Sequence, residues 1–371
     1  MKRIASFLFI LLLPISVFAQ EPAASAPSES REEQAVVQRI LEERGEDGVR
    51  QMRFEAKTDA GETFVVDTSS SYTEGLRYAV RPGDRVILAL FPNTEGGYDA
   101  QIADVVRTGG LALVFALFAL LTVAVGFLRG FSSLLGLGVT LAILFAVVFP
   151  RILDGADPVL TIALGGAAIL AVNMHLSHGF NRRTFVAFAS TLVALGLAVV
   201  FAELFVAWGR LSGLASEESV FLYWQVGNAT LDPRGILLAG IILGAVGVLD
   251  DIAVTQGETV AELKDANPGL SPNELFARAM RVGRHHIAST VNTLVLAYAG
   301  ASLPLFLLFL NSSVSMRAFM NTELVAEEIV RTLAGTAALV LSVPISTLLA
   351  ARFATSESPV HNRLDGEGSA R

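Results

Sequence analysis

Gly109 to Leu128 reads GGLALVFALFALLTVAVGFL, without a single charged residue. A helix needs about 20 apolar residues to cross about 30 Å of hydrocarbon, and this stretch meets that requirement. Six similar blocks follow, near Phe131–Phe149, Pro158–Leu176, Thr184–Trp208, Gly235–Thr255, His286–Leu310 and Ile329–Ala351. The expected fold is mostly α, a polytopic transmembrane bundle of about seven spans. Composition agrees: 53% of the 371 residues are hydrophobic and only 17% charged, and the mean hydropathy is +0.57. The net charge of −8 argues against a nucleic-acid partner, which wants a basic face. The chain has no cysteine, which excludes disulfides, thiolate catalysis and cysteine-ligated metal centres. No cofactor is expected.

Upstream of the first span the character changes. Lys2 and Arg3, the apolar run Ile4–Leu13 and the small-residue site Val17-Phe18-Ala19 have the form of a cleavable signal peptide over residues 1–19. Residues 20–35, rich in Pro, Ser, Ala and Glu, look like a flexible tether. Residues 36–107 read as a small β-rich domain. Strands are expected at Arg50–Ala56, Thr63–Asp67, Arg85–Leu90 and Tyr98–Ile102, with turns at Asp59-Ala60-Gly61, Arg81-Pro82-Gly83-Asp84 and Gly96-Gly97. Short strands with such turns suggest a barrel-like domain of the OB or SH3 kind.

Behind a signal peptide this domain lies outside the cytoplasm, and seven spans then place the C-terminus and the 355–371 tail inside. Lys and Arg test the orientation. Ten fall in the expected cytoplasmic segments, Arg182, Arg183, Lys264, Arg278, Arg281 and Arg284 among them, against five in the outer loops. The bias favours a multi-pass protein of the cell (inner) membrane with its N-terminal domain outside.

Chemistry concentrates between Gly240 and Pro304. Gly240 and Gly244 make a small close-packing face, and then Asp250 and Asp251 follow Leu249 directly. In a continuing helix Asp251, Thr255, Glu258 and Glu262 share one face. A carboxylate in hydrocarbon costs several kcal/mol unless paired, hydrated or protonated. These acids therefore read either as a cation or proton site, with hard oxygen donors, or as solvated residues where the span ends. Which ion they would hold is open. Past Asn267-Pro268-Gly269-Leu270, Ser271 can cap a helix that begins at Pro272, with Glu274 closing a capping box. The expected result is a cytoplasmic helical hairpin over residues 256–285.

On the returning helix His285, Ser289 and Asn292 fall on one face, with His286, Thr290 and Thr293 beside it. Such polar faces point to a bundle interior or a water cavity, or serve helix–helix hydrogen bonding. The Arg/His cluster before them is read equally well as a positive anchor. Gly300, Ser302 and Pro304 break the same helix, and a broken helix frees carbonyls for ions. Pro344 offers a second kink. Asn173, His175 and His178 form a lesser cluster, and Glu203 is a lone acid in an apolar run.

The run Gly247-Val248-Leu249-Asp250-Asp251-Ile252-Ala253-Val254-Thr255-Gln256 resembles the signature of the YibE/F family of multi-pass membrane proteins. The stretches Ala279–Ser289 and Val291–Pro304 are similar to the same family's downstream block, and the small domain's Arg81–Val86 turn to its pre-membrane region. The resemblance implies the architecture and names no activity.

Three functions compete. The first is transport of an ion or small solute along Asp250, Asp251, Thr255, Glu258, His285, Ser289, Asn292, Thr293, Gly300, Ser302 and Pro304. The second is a membrane scaffold or assembly factor whose outer domain binds a protein partner. The third, an intramembrane enzyme, lacks a metalloprotease His-Glu motif, a nucleophile elbow and a Walker loop, so no enzyme is expected. The lipid bilayer is the one certain environment these readings share.

Overall fold

A computed structural model describes residues 30–46, 49–70, 79–93, 97–226 and 231–354. The signal peptide, residues 20–29 of the tether, the Gly96 position and the 355–371 tail lie outside the described residues. The chain divides into two compact units, Met1–Phe118 and Ala119–Arg371.

The first unit carries five strands: β1 (Arg31–Glu46), β2 (Val49–Thr58), β3 (Thr63–Asp67), β4 (Arg85–Pro92) and β5 (Tyr98–Val105). They form one antiparallel sheet in the order β3-β2-β1-β4-β5, curled into a half-barrel. Alternation builds its core. Met52, Phe54 and Ala56 of β2 point inward, as do Val86, Leu88 and Leu90 of β4. Gly61 closes the β2–β3 turn with φ of 92°, a left-handed conformation that favours glycine. The strands expected at Thr63–Asp67, Arg85–Leu90 and around Arg50–Ala56 are present.

The tether expectation is corrected at its end, because β1 begins at Arg31 inside it. Strand β1 has the charged sequence REEQAVVQRILEERGE, which carries no local strand signature. It is a strand because it is the centre of the sheet, paired with β2 on one side and β4 on the other. Pairing between distant segments overrides local preference here.

The second region is helical: α1 (Thr108–Ile143), α2 (Phe149–Leu153), α3 (Pro158–His178), α4 (Arg182–Gly209), α5 (Glu217–Val226), α6 (Pro233–Ala266), α7 (Pro272–Ala301), α8 (Leu303–Leu310), α9 (Met316–Met320) and α10 (Glu323–Ala354). Among the described residues, five helical stretches are long and apolar enough to cross a membrane, and the bent pair α7–α8 makes up to six. The blocks expected as separate spans at Gly109–Leu128 and Phe131–Phe149 fall in one stretch, Thr108–Leu153. It is broken at Phe127, whose φ of 49° and ψ of −129° are not helical. Gly130 is needed there, because a Cβ on it would collide with the carbonyl of Thr122. In an unbroken helix those residues would stand about 12 Å apart along the axis, so the chain turns back on itself at Phe127.

Helix α10 is the hub of the bundle. It packs along α4, α6 and α7, and α3 closes the far side against α6 and α4. Leu249, Ile252, Leu339 and Val343 are fully buried where these helices meet. The interhelical turn forms as its residues dictate. The Ser271 Oγ accepts from the Glu274 N–H, the Glu274 carboxylate accepts from the Ser271 N–H at 2.9 Å, and Pro272 opens α7. Pro344 lies inside α10, which continues past it to Ala354.

Candidate functional site

Helix α6 does not stop at the acids. Its 34 residues run from Pro233 to Ala266, so Asp250 and Asp251 lie at its middle. Around them the interior faces Leu249, Ile252, Ala253 and Gln256 are buried. Asp251 points outward along the groove toward α7. Its carboxylate lies 3.8 Å from His286 Nε2 and 3.5 Å from the Thr255 hydroxyl, which donates to it. His286 therefore does what was expected of His285, whose side chain is exposed. The i, i+4 reasoning found the helix and chose the neighbouring residue.

Asp250, half-buried, turns the other way. Its Oδ1 is buried with no hydrogen-bond partner, and so is His286 Nε2. His178, at the end of α3, and Asp251 both act on it electrostatically. Six residues further along α6, Gln256 is fully buried. Its Oε1 accepts from Thr347 of α10 at 2.8 Å, while its Nε2 has no partner. Gly283 of α7 lets this contact form, because a Cβ there would lie 3.0 Å from Gln256 Oε1 and 2.6 Å from Val343.

The other expected residues divide. Thr255 joins the Asp251 pair. Glu258, Ser289, Asn292 and Thr293 are exposed at the surface of the helical unit, and Thr293 returns its hydroxyl proton to the Ser289 carbonyl at 3.0 Å. Gly300, Ser302 and Pro304 do break the helix. Helix α7 ends at Ala301, α8 starts at Leu303, and the two axes differ by 66°. Beside that break, Tyr298 and Ser302 with Glu328 and Thr332 of α10 border a cavity of about 220 Å³. Elsewhere, Asn173 donates to Thr140 at 3.1 Å. His175 bonds the Ala171 carbonyl at 2.7 Å and packs on Phe180. Glu203 faces Arg234 at 3.5 Å.

The buried polar groups of α10 were not foreseen. Glu327, Thr336, Ser342, Ser346 and Thr347 are all buried. Glu327 Oε1 and Arg331 Nε have no hydrogen-bond partner, although Arg331 lies 3.7 Å from Glu328. Reading the last span as Ile329–Ala351 placed Glu327 and Glu328 in a loop. The available signal was the four-residue spacing of Glu327 and Arg331, repeated by Ser342 and Ser346, which puts each pair on one face.

Chemically, Asp251 and His286 set a carboxylate beside an imidazole, and Asp250 turns a second carboxylate away from them. Buried polar atoms in proteins are nearly always paired with protein or water. Asp250 Oδ1 is open to a proton, a water or a small cation, His286 Nε2 to a proton or a water, and the Gln256 amide nitrogen, a donor only, to a water. Among the described residues, no three His, Asp or Glu side chains converge as a metal-binding group.

Residues 114–356 match the family model described as YibE/F-like protein. The chain belongs to the YibE/F-like family. Family membership together with the long apolar helices marks it as a membrane protein. The matched region takes in every residue of the Asp250–His286 centre and leaves the half-barrel outside. No curated protein and no solved structure matches the chain. The family thus accounts for the helical part and carries no assigned chemistry from a relative.

Proposed function

We propose that this YibE/F-like chain moves an ion or small solute across the membrane, with a proton or monovalent cation held at Asp250, Asp251 and His286. The observation that carries the reading is the pair of buried, unpartnered atoms, Asp250 Oδ1 and His286 Nε2, midway along helices of membrane-crossing length. Atoms with a purely structural role would each have a hydrogen-bond partner; an exchange site leaves them open for its cargo. The Asp251–His286 separation of 3.8 Å is too long for a hydrogen bond and short enough for one to form on a small rotation.

In this reading the Phe127 reversal separates two crossings and α7–α8 is one bent crossing, for seven in all. The half-barrel lies outside and the end of α10 faces the cytoplasm of the cell membrane. The activity is transport and not catalysis.

The test is flux in proteoliposomes across a panel of ions, wild type beside Asp250→Asn/Asp251→Asn. The expected outcome is flux in the wild type and its loss in a double variant of equal thermal stability. Equal flux in the two proteins sinks the assignment. Absence of flux in both returns the function to the half-barrel as a scaffold for a protein partner.

A further inference from the structure

We propose that the cleft between the start of α4, the second half of α6 and the end of α10 binds a phosphate-bearing group. The cleft measures about 70 Å³ and is lined by Arg182, Arg183, Lys264, Asp265, Ser346 and Phe353 among others. A single water needs about 10–15 Å³ of such space, so the cleft admits a group of several heavy atoms. Three cations there face one carboxylate.

The cationic groups are fixed in place. Arg183 lies 3.5 Å from Asp265, and the Arg182 guanidinium sits 5.8 Å from the centre of the Phe353 ring. Lys264 donates to the carbonyls of Pro268 and Leu270 at 2.7 and 3.1 Å, which leaves its third N–H for another acceptor. Guanidinium groups match the geometry of phosphate oxygens. The floor is made of small residues, Ala253, Gly257 and Ala350 among them, which is why the space exists.

A second observation points to a ligand. Ser346, 2% exposed, lines the cleft, and its Oγ is buried with no partner. A buried hydroxyl left unsatisfied is costly, and an oxygen-rich anion in the cleft would accept its proton. Helix α4 begins and α10 ends here, so apolar helix gives way to charged sequence at this level. That is the depth at which a bilayer presents its phosphates, and basic pockets between membrane helices take anionic headgroups. The shared chemistry is an anionic phosphate group, and it has two sources: an anionic lipid headgroup or free inorganic phosphate.

Thermal unfolding of the full chain separates them. The chain is melted in phosphatidylcholine micelles, in the same micelles with phosphatidylglycerol, and in phosphatidylcholine with inorganic phosphate. With the probe near one hundred times its Kd, the wild-type Tm is expected to rise by about 5 °C or more. A rise with phosphatidylglycerol alone assigns the lipid headgroup, and a rise with inorganic phosphate assigns the free anion. Arg182→Gln/Arg183→Gln is expected to abolish the rise. Ser346→Ala, which keeps every charge and is small enough to fold if the arginine variant does not, is expected to weaken binding about tenfold. No rise with either probe overturns the proposal. So does a rise that Ser346→Ala leaves unchanged, since that marks general surface attraction and not a built site.

Discussion

Arg39 and Glu55 face each other across β1 and β2 with hydrogen bonds of 2.7 and 2.9 Å, on the outside of an apolar core in which the buried Thr68 hydroxyl is bonded to the Met52 backbone. In the helical unit the order is inverted. Outward faces are Leu, Val and Phe, while Asp250, His286, Gln256 and Glu327 turn unpaired atoms inward. The half-barrel follows the rule for water, with charges paired or solvated and the interior dry. The helical unit breaks the rule where hydrocarbon makes the breach most costly. Unpaired polar atoms that survive at that cost are candidates for work, whereas the satisfied charges of the half-barrel need no function to explain them.

Substitutions can break or sharpen this contrast. The largest effect is expected from Asp250→Asn/Asp251→Asn, with ion flux reduced by more than about tenfold, in the range typical of lost acid–base groups, and Tm unchanged or raised. Phe54→Ala, at the fully buried centre of the half-barrel, is expected to cost about 3–5 kcal/mol. Hydrogen exchange should show the loss confined to β1–β5, with flux intact. Gly283→Ala forces a methyl group against Val343 and Gln256 and is expected to cost about 1–3 kcal/mol in a melt of the whole chain. Gln256→Leu works in the opposite sense. It removes an unsatisfied amide nitrogen while Thr347 keeps its bond to the Val343 carbonyl at 2.7 Å. Stability should stay level or rise by about 1 kcal/mol, and a fall in flux would tie that amide to the path.

The smallest effect is electrostatic. The Arg39 guanidinium bonds Glu55 and holds its carboxyl below the usual range. Ser69, through its hydroxyl and N–H, does the same for Asp67. Both groups bind protons more weakly folded than unfolded, so their contribution is present above the ordinary carboxylate range, about 4. It is lost as pH falls through their lower folded values. Hydrogen exchange in β1 and β2 should therefore quicken below about pH 4. Glu55→Gln, which removes one of these proton acceptors, should flatten that dependence and leave stability at neutral pH little changed.

What could be read from sequence was local. Strand β3 and the start of β4 lie where alternation and Gly turns put them, and the Ser271–Glu274 cap formed as spaced. The acids were legible because two adjacent carboxylates after an apolar run are conspicuous. Three things were not legible, each for a physical reason. Strand β1 is held on one side by its hairpin neighbour β2 and on the other by β4, about 40 residues further along the chain. The choice of His286 over His285 depends on a helix rotation of about 100°, and the spacing rule leaves that angle free until α6 and α7 are packed. The buried polar residues of α10 are mostly single Ser and Thr, which in sequence look like ordinary small residues for helix packing.

The place of α10 in the chain has a consequence for biogenesis. Helices α4, α6 and α7 all rest on a segment that leaves the ribosome after them. Until Glu323–Ala354 arrives, Gln256 lacks Thr347, and the faces that will bury Leu249 and Ile252 have no cover. Folding of this bundle is therefore terminated by its hub and not nucleated by it. Nascent chains stalled before residue 323 should present the longest-lived surface for quality-control proteases and membrane chaperones.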